Sequence, residues 1–214
     1  MPEIRTFAID ASRSALIVVD MQNDFVRVGA PLEVPDARAT IAPIRSTIDL
    51  FRRLRRPIVF TRFIAGPKET LLWTWSPELR PPVSCCKPGF RRRYPDSARE
   101  LDCVAVVDEL PVLPGDYVVD KYGYGAFFRT NLHDVLLSEH VDTVVICGTV
   151  TQICVEETAR QAFHLDLKTI VLSDGVSSFD PGMHAAALKN HAHKFGRVMD
   201  SGALAAEIAK AARG

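Results

Sequence analysis

Along this chain, apolar positions gather into short runs rich in Val and Ile, separated by stretches in which apolar residues recur every three or four positions. ALIVV (15–19), PIVFTR (57–62), DYVVDK (116–121), TVVIC (143–147), LKTIVLSD (167–174) and the shorter FGRVMDS each read as a strand. Helical spacing fills the intervals: DARATIAPIRSTIDLFRRLRR (36–56), a helix opened by Thr130 or Asn131, one beginning near Gln152, one from Pro181 to about 194, and the alanine-rich ALAAEIAKAA. Strands that alternate with helices pair in parallel, and right-handed crossovers place the helices on both faces. The pattern therefore predicts a single doubly wound α/β domain over 1–214, with a six-stranded parallel sheet. One segment breaks the rhythm. Residues 63–100, rich in Pro, Trp and Arg, read as a long irregular insertion, and such insertions in compact domains serve as lids or contact surfaces.

Composition narrows the partners. Lys plus Arg and Asp plus Glu both number 26, so no net charge recruits nucleic acid or an anionic membrane, and a small molecule is the expected partner. The cysteine count is odd, at 5, and the first residues lack the basic-then-apolar layout of a signal peptide, which points to free thiols in a reducing cytoplasm. No apolar run approaches the roughly 18 residues of a membrane span.

In doubly wound folds ligands sit beyond the carboxyl ends of the strands, so the residue ending each strand matters. The first strand ends in Asp20, the strand before the Gly123-Tyr124-Gly125 turn ends in Lys121, and TVVICGTVTQIC delivers Cys154 where a strand gives way to a helix. Together they make a chemical set. A thiolate attacks a carbonyl carbon, a carboxylate carries the proton, and an ammonium holds the carboxylate and favours the thiolate. The helix start beside Cys154 offers amides to an oxyanion. Cys147, inside its strand, reads as a small core residue.

These residues resemble the isochorismatase-like cysteine hydrolases, a family that includes nicotinamidases, carbamoylsarcosine and ureidoacrylate amidohydrolases, and isochorismatases. ALIVVDMQNDFV is similar to the family's opening strand, DKYGYGAFFRTNL to the segment carrying its lysine, and GTVTQICVEETARQAF to its cysteine elbow. The resemblance implies Asp20 as general base, Lys121 as its partner and Cys154 as nucleophile. It also implies a cis peptide between Thr149 and Val150, an oxyanion hole from the backbone amides of Val150 and Cys154, and a homo-oligomer, dimer or tetramer. The implied activity is hydrolysis of a carbon–nitrogen bond in a small amide, carbamoyl or ureido compound through a thioester. DKYGYGAFFRTNL and SSFDPGMHAAAL look closest to the carbamoylsarcosine and ureidoacrylate branch. The chain departs from it at Gln152-Ile153, where many relatives have Asn-Val, and at Gly123-Tyr124-Gly125, where the carbamoylsarcosine type has Arg-Tyr-Ser. Nicotinamidases of the family bind a metal through Asp-x-His-Pro, whereas this chain reads TRFIAGPKET, so neither a metal nor a cofactor is expected.

The remaining conspicuous residues leave alternatives open. Trp73 and Trp75 either pack the irregular segment, lie between subunits or wall the pocket, while Phe25 and Phe127, just beyond catalytic strand ends, are pocket-wall candidates. His191 and His193, two apart on a helix, read as solvated surface. Arg91, Arg92 and Arg93 read as a solvated face, unless one reaches over the pocket to a substrate carboxylate. Two rival functions stand beside amide hydrolysis: isochorismatase-type vinyl ether cleavage, which needs no cysteine, and a ligand-binding or thiol redox-sensing relative.

Overall fold

The structure, a computed structural model, describes residues 6–211. Six parallel strands form the main sheet: β1 (Ser14–Val19), β2 (Ile58–Phe63), β5 (Tyr117–Lys121), β6 (Thr143–Thr149), β7 (Lys168–Ser177) and β8 (Arg197–Met199). Two short antiparallel strands, β3 (Arg91–Arg93) and β4 (Glu100–Asp102), pair apart from it. The order across the main sheet is β5-β2-β1-β6-β7-β8. The chain thus builds outward from β1 in one direction and from β6 in the other, so the switch in strand order lies between them. The crevice beyond their carboxyl ends is where such sheets bind ligands.

Among the described residues, seven α-helices accompany the strands: α1 (Asn23–Val26), α2 (Ala37–Arg53), α3 (Leu72–Trp75), α4 (Leu132–Ser138), α5 (Glu156–His164), α6 (Pro181–Lys194) and α7 (Ser201–Ala211). The last residue of the helix read as ALAAEIAKAA and the N-terminal residues 1–5 lie outside the described residues. Alternate residues of β1 feed the two faces. Leu16 and Val18 join the core under α2 and α7, with Ile44, Ile48, Phe51, Leu204 and Ile208. Ala15, Ile17 and Val19 join the core under α4 and α5, with Leu132, Leu136, Ala159 and Ala162. With both faces covered, all six residues of β1 are buried, which is why the run reads as continuously apolar.

Two elements run differently from the sequence reading. The strand expected to end at 174 continues to Ser177, because the β6–β7 register breaks between Ile146 and Gly148 and re-forms at Val176. Asp174 inside it is not a turn residue; its carboxylate accepts from the amide and hydroxyl of Ser201 at 2.9 and 2.6 Å, at the start of α7. His191 is buried, not solvated: it packs on α6 beside Thr169 and Phe195, 4% exposed, and burial lowers its pKa to about 4. His193 is exposed, as read.

Close approach at the switch point demands glycine. Gly148 has φ +113°, and a Cβ there would stand 2.0 Å from the Val19 carbonyl oxygen of the neighbouring strand. No other residue fits that backbone without separating β1 from β6.

Candidate active site

Asp20 follows β1 directly and is wholly buried, with φ +50°, a conformation that Asp tolerates better than most residues. Its Oδ1 accepts a hydrogen bond from Thr61 Oγ1 at 2.7 Å. Its Oδ2 lies 2.7 Å from Lys121 Nζ, in an ion pair whose two side chains are both wholly buried. Lys121, ending β5, is also wholly buried, although β2 separates its strand from β1. Its ammonium crosses the end of β2, 5.3 Å from the Phe63 ring centroid, and donates to the Gly123 carbonyl at 3.1 Å. Burial opposes the ammonium, but Asp20 and then Cys154 outweigh it and hold the Lys121 pKa above its usual value.

Cys154 sits in the turn Thr151–Val155, whose π-type winding joins β6 to α5. Thr151 Oγ1 fixes that turn, bonding the Ser177 carbonyl and His184 Nδ1, each at 2.9 Å. The Thr149–Val150 peptide ahead of it is cis. Lys121 and Asp20 both act on the thiol by charge. Burial pushes its pKa up to about 12, against the pull of Lys121, so the resting group is a thiol. The neighbouring ammonium therefore does not by itself hold Cys154 as a standing thiolate.

A cavity of about 510 Å³ opens on Cys154 and Val150. Phe25, Phe63, Trp75, Tyr124 and Phe179 supply its aromatic wall, and Leu32, Val34 and Ile153 are among its aliphatic residues. Of the four aromatic residues singled out in the sequence, two are here: Phe25, against Phe63 at 6.3 Å between ring centroids, and Trp75, 78% exposed. Trp73 and Phe127 are elsewhere. Trp73 packs on the core under α2 and lines a different cavity beside Pro67, because the short helix α3 turns the two tryptophans apart. Phe127 packs toward the core under α5, its amide held by Gln161 Oε1 at 3.1 Å. Gly125 permits that contact, since a Cβ there would fall 2.3 Å from the Gln161 amide.

None of the three consecutive arginines lines the cavity. Arg92 is partly buried and binds Asp24 Oδ1 at 3.1 Å and the Val83 carbonyl at 2.6 Å. Asp24 also accepts from Tyr94 Oη at 2.6 Å and the Cys86 amide at 2.8 Å, so α1 anchors the irregular segment by its one buried carboxylate. Asp24, Cys85 and Cys86 are the one group of potential metal ligands close together among the described residues. The carboxylate is already engaged on both oxygens by those donors, so the group suits structure better than an ion. Thr61 and Gln22 were not singled out in the sequence. The Gln22 amide bonds the Phe63 backbone twice, at 2.7 and 3.0 Å, and so seats Phe63 under Lys121. A polar side chain within a buried strand, at Thr61, or just beyond one, at Gln22, was the available signal.

The family model described as the Isochorismatase domain matches residues 14–203. Ureidoacrylate amidohydrolase RutB of Agrobacterium fabrum is 30% identical over 201 residues, spanning 86% of this chain and 84% of that protein. The crystal structure of a cysteine hydrolase from Pseudomonas syringae pv. phaseolicola superposes with a TM-score of 0.87 at 26% identity, covering 99% of this chain and 100% of that one. N-carbamoylsarcosine amidase from Thermoplasma acidophilum gives a TM-score of 0.69 at 30% identity, over 88% and 95% of the two chains.

Proposed function

The chain belongs to the isochorismatase family and is a hydrolase, and we propose that it cleaves a carbon–nitrogen bond in a small amide, carbamoyl or ureido compound through a thioester on Cys154. The observation that carries this reading is a buried Asp20–Lys121 ion pair that acts by charge on the buried Cys154 thiol at the floor of a cavity. The names of the relatives, a ureidoacrylate amidohydrolase and an N-carbamoylsarcosine amidase, support the bond type.

In the proposed reaction, Cys154 Sγ attacks the carbonyl carbon while Asp20 Oδ2 takes the thiol proton. The carbonyl electron pair moves to oxygen, where the backbone amides of Val150 and Cys154 receive it. Asp20 then returns the proton to the departing nitrogen, and collapse of the intermediate leaves a thioester. Water, deprotonated by Asp20, attacks the same carbon; the thiolate departs and recovers a proton as the acid is released. Lys121 pairs with Asp20 at 2.7 Å in its buried position, and Thr61 fixes the carboxylate's angle. Residues 63–100 are read as the lid of this site, since Phe63, Trp75, Ser76 and Glu78 all line the cavity.

The reading is tested by ammonia release across ureido acids, N-carbamoyl amino acids and simple primary amides. Turnover of one subclass that is lost in Cys154→Ala is the expected result. Turnover surviving that substitution would remove the nucleophile, and cleavage of isochorismate alone would move the protein to vinyl ether hydrolysis.

A further inference from the structure

If Cys154 attacks an amide or carbamoyl carbon, the uncleaved part of the substrate must rest against the rest of the cavity wall, and that wall has a charge sign. No Arg, Lys or His is among the described residues lining it; its two charged residues are Glu33 and Glu78. Glu33 is already engaged, accepting from the Gly29 amide at 2.8 Å and pairing with Arg38 at 2.8 Å. Glu78 is half-buried, and its carboxylate makes no hydrogen bond or ion pair among the described residues. Nearby cations do not compensate. Lys68 and Arg129 line a neighbouring cavity that shares only Tyr124 with this one, and Lys121 is held by Asp20.

A carboxylate brought into this cavity would lose its hydration beside an unpaired carboxylate and gain no cation. An ammonium group meets the opposite situation. Trp75, Tyr124 and Phe179 offer aromatic faces that are 78%, 36% and 57% exposed, and Glu78 supplies the counter-charge. Aromatic walls with one acid are the chemistry that recognises alkylated ammonium groups.

Building on the amide-hydrolase reading, we propose that the site selects substrates whose uncleaved part carries an ammonium group, seated against Trp75, Tyr124 and Phe179 with Glu78 as its counter-ion, and rejects those carrying a carboxylate. The chain thereby parts in specificity from relatives named for ureidoacrylate, itself an acid.

Three primary amides built on one acetamide unit test this: betaine amide, with a trimethylammonium tail; 3,3-dimethylbutanamide, its neutral isostere; and malonamate, with a carboxylate tail. Calorimetric titration into Cys154→Ala should rank them in that order, the cation about tenfold tighter than the isostere. In a Cys154→Ala, Glu78→Gln protein, the cation's advantage should shrink severalfold. Malonamate binding tightest, no cation binding up to about 20 mM, or an advantage untouched by Glu78→Gln each overturns the proposal. Hydrolysis by the wild-type protein separates the two readings. Ammonia from malonamate alone defeats the cation site and leaves the hydrolase standing. A bound cation with no ammonia released from any amide, in this or the wider amide panel, defeats the hydrolase and leaves the binding site standing.

Discussion

Replacing Lys121 by Met should expose how strongly the buried pair is coupled. Asp20 and Lys121 are both fully buried and 2.7 Å apart. At an effective dielectric of about 20 their attraction is ~6 kcal/mol. Much of that offsets the desolvation of the two charges, so the pair contributes little against an apolar replacement of both residues, whereas removing one partner strands a buried charge at a cost of about 3–5 kcal/mol. In Lys121→Met, Asp20 is left buried without the cation that pairs with it. Urea unfolding should therefore begin roughly 1–2 M earlier than in the wild-type protein, with turnover lost at neutral pH. Asp20→Asn combined with Lys121→Met leaves no charge stranded, and the cycle should show a coupling of at least about 3 kcal/mol while activity stays absent. If Lys121→Met unfolds with the wild-type midpoint, or the two substitutions add independently, the ion pair does not hold the site.

Three further outcomes follow from neighbouring geometry. Thr61→Val removes one hydrogen bond to a buried carboxylate, worth about 1.5–3 kcal/mol, so kcat should fall roughly ten- to hundredfold, and Thr61→Ser should restore it; an unchanged kcat would reduce Thr61 to packing. Because Cys154 rests as a thiol with its pKa pushed to about 12, alkylation at that residue by iodoacetamide, followed by peptide mass mapping, should climb nearly tenfold per pH unit from 7 to 9; a rate already level at pH 7 would mean a standing thiolate. His191 is neutral and unfavourable to protonate in the folded state, with its pKa lowered from 6.5 to about 4 by burial. Between those values the unfolded chain binds the proton and the folded one does not, so stability falls as pH drops from about 6.5 to 4, by about 3 kcal/mol at most. His191→Gln should flatten that slope in pH-dependent urea titrations; an equal slope in the variant would assign it to other groups.

How much of this was legible in the sequence depended on distance along the chain. Asp20, Lys121 and Cys154 stood out as candidates because a doubly wound sheet sends its strand ends to one edge, while position alone did not separate them from ordinary turn and core residues and their roles came from the family resemblance. Thr61 and Gln22 act across 41 residues, on Asp20 and on Phe63, and neither pairing is visible until the register of β1 against β2 is known. His191 was misread because its two-residue spacing from His193 was weighed in isolation. Ala187, four residues before it, is buried on the same helix face. Trp73 and Trp75 sit in a segment without periodicity, where only tertiary contacts decide which ring meets the cavity. Arg92 could not be assigned because its partner, Asp24, lies 68 residues away on a four-residue helix that no pattern announces.

The central claim is that Cys154 carries the acyl group. An amide found to be turned over should be mixed with the protein, quenched in acid within one turnover, and the protein mapped by peptide mass spectrometry. The account predicts an acyl adduct on the Cys154 peptide that decays as free acid accumulates and is absent in Cys154→Ala. An adduct on another residue, or continued turnover by the variant with Cys154 absent, would contradict it.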